Sequence, residues 1–271
     1  MNAPLQDVVG SIAVRRVLVQ LSDVHYVGDG RLFGGLSLRN IFTQVRAILE
    51  LPQYTPEAIV VTGDLVHRGT QASYRDLQRE FELLRVAFAV PIVVTFGNHD
   101  DMERAGAVFP TTQIAYTETH RIVSFDNSDP EITPQQERWL SDQLAQPYRS
   151  GTILAFHHSP LPSLVPILQR RGMENRGALA RVVENSDVIQ ILTGHYHHAM
   201  AGTFAGVPCW SSPALSTQQI MAPQLAEVDH GGGSGFSVVE LSEFGPITTP
   251  IWLDIEQSES DSRSAKTIAS T

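Results

Sequence analysis

Five short apolar runs in this chain end on residues that can ligate a metal or move a proton. Residues 17–21 lead into Ser22-Asp23-Val24-His25, residues 58–61 into Thr62-Gly63-Asp64, and residues 91–95 into Phe96-Gly97-Asn98-His99-Asp100. Residues 153–156 run into His157-His158, and residues 188–192 into Thr193-Gly194-His195-Tyr196-His197-His198. Runs this short and this rich in Val and Ile read as buried strands. In α/β sheets the carboxyl ends of the strands border the ligand crevice. The pattern therefore constrains fold and site together. One sheet edge is expected to gather Asp23, His25, Asp64, Asn98, His99, His157, His195 and His197, with neighbouring glycines letting the backbone turn sharply. Taken singly, each motif has a plain reading as a turn, a satisfied rim histidine or an exposed loop. Five such endings in one chain make those readings a poor account of the set.

Two more runs, 122–125 and 236–241, have the same strand-like composition. Helical periodicity lies between the runs. Over residues 73–88, Leu77, Phe81, Leu84 and Phe88 fall on one stripe. Thr133 reads as an N-cap with Pro134 at the first helical position and Gln136 completing a capping box. The helix that follows carries Trp139, Leu140 and Leu144 on one face. Strands alternating with helices predict an α/β fold with buried sheets. The expected organisation is one domain over residues 1–253. The polar, Ser-rich stretch 254–271 is expected to be a mobile tail.

Charge and cysteine content narrow the chemistry. A net charge of -10 argues against a grip on large nucleic acid, which needs a basic surface. No apolar run reaches the ~20 residues of a membrane span. The N-terminus shows no basic segment followed by an apolar core, and Cys209 is the only cysteine. A cytoplasmic location is expected. One cysteine cannot build a thiolate site, so a metal here would be held by His, Asp, Glu or Asn. Oxygen and imidazole donors suit Fe, Mn, Zn or Co. The donors are too many for one tetrahedral ion and suit two ions sharing a carboxylate. A pair about 3.5–4 Å apart can clamp a phosphoryl group and activate a bridging water for in-line attack. Asp23-x-His25 and His195-x-His197 are each expected on an extended segment, which sends alternate side chains to one side.

The ordered set Asp23-x-His25, Gly63-Asp64, Gly97-Asn98-His99-Asp100, His157 and Gly194-His195-x-His197 resembles the calcineurin-like metallophosphoesterase superfamily. Flanking segments, among them Gly30-Arg31-Leu32-Phe33-Gly34 and the Gly-rich 231–235, are similar to class III cyclic nucleotide phosphodiesterases and bacterial glycerophosphodiesterases. The resemblance implies a four-layer α/β/β/α sandwich, two face-to-face sheets flanked by helices. It implies two transition-metal ions, Fe and Mn first, with Zn or Co as alternatives. Asp23, His25 and His197 would hold one ion, Asn98, His157 and His195 the other, and Asp64 would bridge. His157 rather than His158 takes the ligand role because the family pattern is His-x-Pro. His99 would be the non-ligand histidine that assists the leaving oxygen, acting with Asn98 and Asp64 in catalysis. Tyr196 and His198 are expected to stand aside.

Two positions depart from the family pattern. His67 stands where an aspartate is usual, and Ser159 breaks the common His-His-Pro-Pro. His67 and Arg68 are expected at the substrate rim with Asn98 and His99, and Arg68 occupies the place of a phosphate-contacting arginine in related protein phosphatases. The expected activity is hydrolysis of small phosphodiesters, cyclic nucleotides first, by attack of a metal-bridging hydroxide. A glycerophosphodiesterase or a broad-specificity phosphoesterase is the alternative, and a non-catalytic metal-binding module is the rival from another class. The resemblance leaves a homodimer open.

Overall fold

The computed structural model describes residues 16–110, 113–221, 228 and 230–255. In chain order its strands are β1 (Arg16–Leu21), β2 (Tyr26–Gly28), β3 (Arg31–Leu32), β4 (Thr55–Thr62), β5 (Ile92–Thr95), β6 (Gln113–Tyr116), β7 (Arg121–Ser124), β8 (Thr152–Ala155), β9 (Val188–Thr193), β10 (Met200–Phe204), β11 (Val207–Ser211), β12 (Gln218–Gln219), β13 (His230–Gly231), β14 (Gly235–Ser242) and β15 (Gly245–Trp252). The helices are α1 (Leu38–Leu49), α2 (Gln71–Phe88), α3 (Met102–Gly106), α4 (Pro134–Leu144) and α5 (Arg176–Val183). All seven expected runs are strands, namely β1, β4, β5, β7, β8, β9 and β14, with small shifts at their ends.

Two sheets form the body. One has the order β15-β14-β1-β4-β5 and the other β10-β11-β9-β8-β7-β6. β1, β4 and β5 are mutually parallel, as are β7, β8 and β9. The alternation of side chains decides what lies on each face. Along β1, Val17, Val19 and Leu21 pack toward α1 and α2 among Ile41, Phe42, Val45, Leu77 and Phe81. Leu18 faces the other way and meets Ala58 and Val60 together with Ile122, Ile153, Ala155 and Leu192 of the second sheet. On that sheet's outer side, Leu154 and Ile191 pack with Leu140 and Leu144 of α4 and Leu179 and Val183 of α5. The order is thus helix, sheet, sheet, helix, the expected four layers. Burying an aliphatic side chain of this size is worth about 1.5–3 kcal/mol, so each interface is held by many such increments. It also explains why β4 is buried from Ala58 through Thr62 rather than alternating.

The capping box of α4 forms as expected: Thr133 Oγ1 accepts from Gln136 N, and the Gln136 side chain accepts from Thr133 N. α2 begins at Gln71 behind a second capping box formed by Thr70 and Ser73. α1 is not among the expected helices, although its stripe of Leu38, Ile41, Phe42, Val45 and Leu49 is in the sequence. Of the expected tail, all but Asp254 and Ile255 lies outside the described residues. No helix among the described residues is long and apolar enough to cross a membrane.

Candidate metal centre

The carboxyl ends of β1, β4 and β5 in one sheet and of β8 and β9 in the other converge at one edge of the sandwich. Beyond β1 and β4 the two exits run on side by side. Asp23 N donates to Gly63 O at 3.1 Å, His25 N to Asp64 O at 2.8 Å, and Tyr26 N to Leu65 O at 3.0 Å. These exits are not extended, which corrects the expectation for Asp23-x-His25 and His195-x-His197. Asp23, His25, Asp64, His195 and His197 all have positive φ, between 45° and 76°. Their side chains converge because the backbone enters the left-handed region, not because a strand alternates. Asp and His tolerate that region better than most residues, but it is costly for any of them.

The glycines act mainly by permitting close approach. A Cβ at Gly97 would strike Asp64 Oδ1 and lie 2.5 Å from Asp64 N; one at Gly194 would strike Ser22 Oγ and lie 2.7 Å from Asp23 Oδ2 and Thr62 O. Only Gly63 (φ 83°) also makes the sharp left-handed turn expected of these glycines.

The donor atoms meet closely. Asp64 Oδ2 lies 3.3 Å from His25 Nε2 and 3.4 Å from His157 Nε2, placing this carboxylate between the two halves. On one side, His25 Nε2 is 2.9 Å from His197 Nε2, and Asp23 Oδ1 is 3.5 Å from the same atom. Asp23, His25, Asp64 and His197 each offer a donor within 4.8 Å of the others. On the other side, His157 Nε2 is 3.2 Å from Asn98 Oδ1 and 3.2 Å from His195 Nδ1. His158 joins this second group, with a ring nitrogen within 4.8 Å of His157 and His195; its Nδ1–H donates to Asn127 O at 2.5 Å.

Backbone carbonyls fix two of these rings. His157 Nδ1–H donates to Thr62 O at 2.9 Å and His197 Nδ1–H to Thr217 O at 2.8 Å. Each therefore turns Nε2 toward the centre, as metal-binding imidazoles do. Electrostatics show a crowded, desolvated cluster. Burial lifts the Asp23 carboxyl to about 6, with the Asp64 charge adding to it. Asp64 is held well below its ordinary range, since the neighbouring His157 and His25 outweigh its burial. Burial would lower His157, but the Asp64 and Asp23 charges raise it to about 9. Burial drives His195 and His197 well below theirs, reinforced by neighbouring imidazoles. His195 Nε2 is buried with no hydrogen-bond partner. Imidazole nitrogens facing one another at 2.9–3.2 Å, a carboxylate between them and an orphaned ring nitrogen fit a divalent-cation centre.

A cavity of about 120 Å³ opens over this cluster. His67 and His99 line it with five of the donors, His25, Asp64, Asn98, His195 and His197, whereas Arg68 is exposed and does not. The basic residue among its lining is Arg171, with Phe33, Leu168, Val228 and His230. No local pattern singles these out, because separate segments of the chain bring them in; only Phe33 lies in a segment quoted above. A wider hollow of about 360 Å³ adjoins at Asn98, but Asp100 and Asp129 in its wall make it a poor seat for phosphate. Tyr196 is buried, donates its hydroxyl to Leu161 O at 2.9 Å and still lines the cavity. His198 turns away to Ser163 Oγ, 2.9 Å from its Nε2.

The calcineurin-like phosphoesterase family model matches residues 17–199, the stretch that contains every donor named above. The chain belongs to that family. A cAMP/cGMP dual specificity phosphodiesterase of Mycobacterium tuberculosis is 32% identical over 240 residues, which cover 83% of this chain and 76% of that protein. The family fold recurs in the purple acid phosphatase PPD1 of yellow lupin at 15% identity and a TM-score of 0.64, over 83% of this chain and 49% of that one. This chain thus spans about half the length of that phosphatase. It recurs as well in GAP50, the anchor in the inner membrane complex of Plasmodium, at 12% identity and a TM-score of 0.61, over 91% of this chain and 90% of that one. As a calcineurin-like phosphoesterase the chain is a metal-dependent hydrolase of phosphate esters.

Proposed function

We propose that this calcineurin-like phosphoesterase hydrolyses small phosphodiesters, cyclic nucleotides first, at a centre for two metal ions. Asp23, His25 and His197 hold one ion, Asn98, His157 and His195 the other, and Asp64 serves both. The observation that carries this reading is the position of Asp64 Oδ2, 3.3 Å and 3.4 Å from an imidazole of each half. Bound there, divalent cations supply Lewis-acid charge for a phosphoryl group and an activated water; Fe and Mn suit the N and O donors, as do Zn and Co. Thr62 O and Thr217 O keep His157 and His197 aimed inward. Asp64 Oδ1 accepts from His99 N at 2.9 Å, so the bridging carboxylate also places His99. His99 sits edge-on to His25 with ring centroids 4.9 Å apart, and burial holds it below its ordinary pKa. A neutral His99 donates an N–H to the leaving oxygen, and Asn98 pairs metal binding with substrate contact. Arg171 is the basic residue that lines the cavity, which leaves Arg68 for parts of the substrate beyond it. The cyclic nucleotide preference is supported by the Mycobacterium tuberculosis relative.

The test is a substrate panel on the Mn- and Fe-reconstituted protein: 3',5'-cyclic AMP, 2',3'-cyclic AMP, glycerophosphoethanolamine, bis(p-nitrophenyl) phosphate and a phosphomonoester. The highest kcat/KM is expected for a cyclic nucleotide, and a higher value for glycerophosphoethanolamine would replace that reading. Asp64→Ala and Asn98→Ala should each lower turnover of bis(p-nitrophenyl) phosphate by at least about 100-fold. The fold is shared with an anchor protein and decides nothing about catalysis by itself. A non-catalytic role is disfavoured because every donor position is filled; fewer than one transition metal per chain after reconstitution would restore it.

A further inference from the structure

We infer that His67 is a positioning residue for the metal centre, the hydrogen-bond acceptor that fixes the tautomer and aim of His25. The inference rests on the two-ion reading above. Three of the histidines read as ligands use Nε2 toward the centre, and their Nδ1 atoms tell them apart. His157 and His197 donate Nδ1–H to backbone carbonyls, Thr62 O and Thr217 O. His25 is not held in that way. Its Nδ1 faces His67 Nδ1 at 3.2 Å. Two imidazole nitrogens at that distance share one proton, one donating and the other accepting. For His25 Nε2, 3.3 Å from Asp64 Oδ2, to offer a lone pair to a cation, Nδ1 must carry the hydrogen. His67 Nδ1 must then accept it.

The surroundings hold the His67 ring in place for this task. It is stacked against two rings, Phe33 and His99, each with its centroid 4.7 Å away and its plane inclined by 22°. The ring cannot swing aside without breaking these two stacks. His67 N is tied to Tyr26 O at 3.0 Å, which fixes its backbone against the exit that carries His25. This differs from a rim contact with substrate. A rim contact would form only when substrate is bound, whereas the contact to His25 is already made. The same stack gives His99 a planar neighbour, so one side chain orders a ligand and the candidate leaving-group histidine together.

The test is calorimetric titration of the metal-free full chain with Mn²⁺, comparing the native protein with His67→Phe and His67→Asp. Phenylalanine keeps the stack and has no acceptor; aspartate keeps an acceptor and has no ring. Loss of an outer-shell partner of this kind typically weakens metal binding about 10–100-fold. That weakening is expected for His67→Phe, with His67→Asp staying within about 5-fold of native. Native affinity in His67→Phe would overturn the inference, and so would equal losses in the two variants, because the acceptor would then not be what matters. Should His67→Phe fail to fold by circular dichroism, His67→Leu carries the same comparison. If the native chain takes up no Mn²⁺, the two-ion reading fails first and the role of His67 falls with it.

Discussion

At the scale of single residues, the centre is built from conformations the chain would avoid elsewhere. The left-handed backbone at Asp23, His25, Asp64, His195 and His197 costs about 1–2 kcal/mol per residue, and hydrogen bonds from neighbouring exits hold it in place. Asp100 is the main retaining group. Its carboxylate accepts from Gly97 N at 2.9 Å, Leu65 N at 3.0 Å and Val66 N at 3.0 Å, and from the Tyr74 hydroxyl at 3.2 Å. It thereby ties the exit of β4, just beyond Asp64, to that of β5. Asp100→Ala leaves three backbone donors without their acceptor, at about 1–3 kcal/mol for each that water cannot reach. A loss of about 3 kcal/mol or more is expected in urea unfolding of the metal-free protein. A loss under about 1 kcal/mol would show that water replaces the carboxylate. His99→Ala makes a separate prediction about chemistry. Turnover of cyclic nucleotides, whose leaving group is a ribose alkoxide, should fall far more than turnover of bis(p-nitrophenyl) phosphate. Equal losses for the two substrates would remove His99 from the leaving-group role. The identity of these residues was legible in the sequence because each follows a run of β-branched residues. Their left-handed backbone was not, since a positive φ outside glycine is set by tertiary hydrogen bonds such as Asp23 N to Gly63 O rather than by a local pattern.

Among the elements, the motif glycines show how strand exits are brought into contact, Gly97 within one sheet and Gly194 across the two. The Gly97 Cα abuts Asp64, and the Gly194 Cα abuts Ser22 and Asp23, leaving no room for a methyl group. Gly194 lies after β9 in the second sheet, and its close approach carries His195 N to within 3.1 Å of both Asp23 carboxylate oxygens. Gly194→Ala must therefore push β9 away from β1 or displace the Asp23 carboxylate. Overpacking of this kind costs about 1–3 kcal/mol. Metal binding should weaken as well, with Mn²⁺ affinity falling at least about 10-fold by calorimetry, because Asp23 and His197 would hold the same ion. An alanine variant with native affinity would show that the exits can separate freely. The sequence showed that glycines stand beside the donors and pointed to turns; close approach between distant segments is visible only once the sheets are face to face. The strands and the Thr133 capping box were legible because their signals are local. Arg171, Leu168, Val228 and His230 were not, because segments far along the chain from the donor motifs carry them to the cavity wall.

For the molecule as a whole, the centre lies across the junction of its two halves. Asp23, His25, Asp64 and Asn98 come from exits of the first sheet, and His157, His195 and His197 from exits of the second. Without cations these donors crowd imidazoles and carboxylates together in a desolvated space. A cation held by Asp23, His25 and His197 would bind both sheets at once, and so would one held by Asn98, His157 and His195. Metal loading should therefore stabilise the fold as a unit. With free Mn²⁺ at 100 times Kd, one site adds about 2.7 kcal/mol. For a chain of this length that raises Tm by about 5–10 °C relative to protein in excess chelator. A second probe reports on the half that holds β11. Cys209, the only cysteine of the chain, is 2% exposed and packs with the second sheet and its helices. Burial pushes its thiol up to about 12, so a thiol reagent at neutral pH labels it only when that half opens. If the ions join the halves, Mn²⁺ should slow Cys209 labelling along with the rise in Tm, by about 100-fold where opening releases one ion at that concentration. A raised Tm with labelling unchanged would place the metal within the first half alone. An unchanged Tm would sink the bridging arrangement altogether.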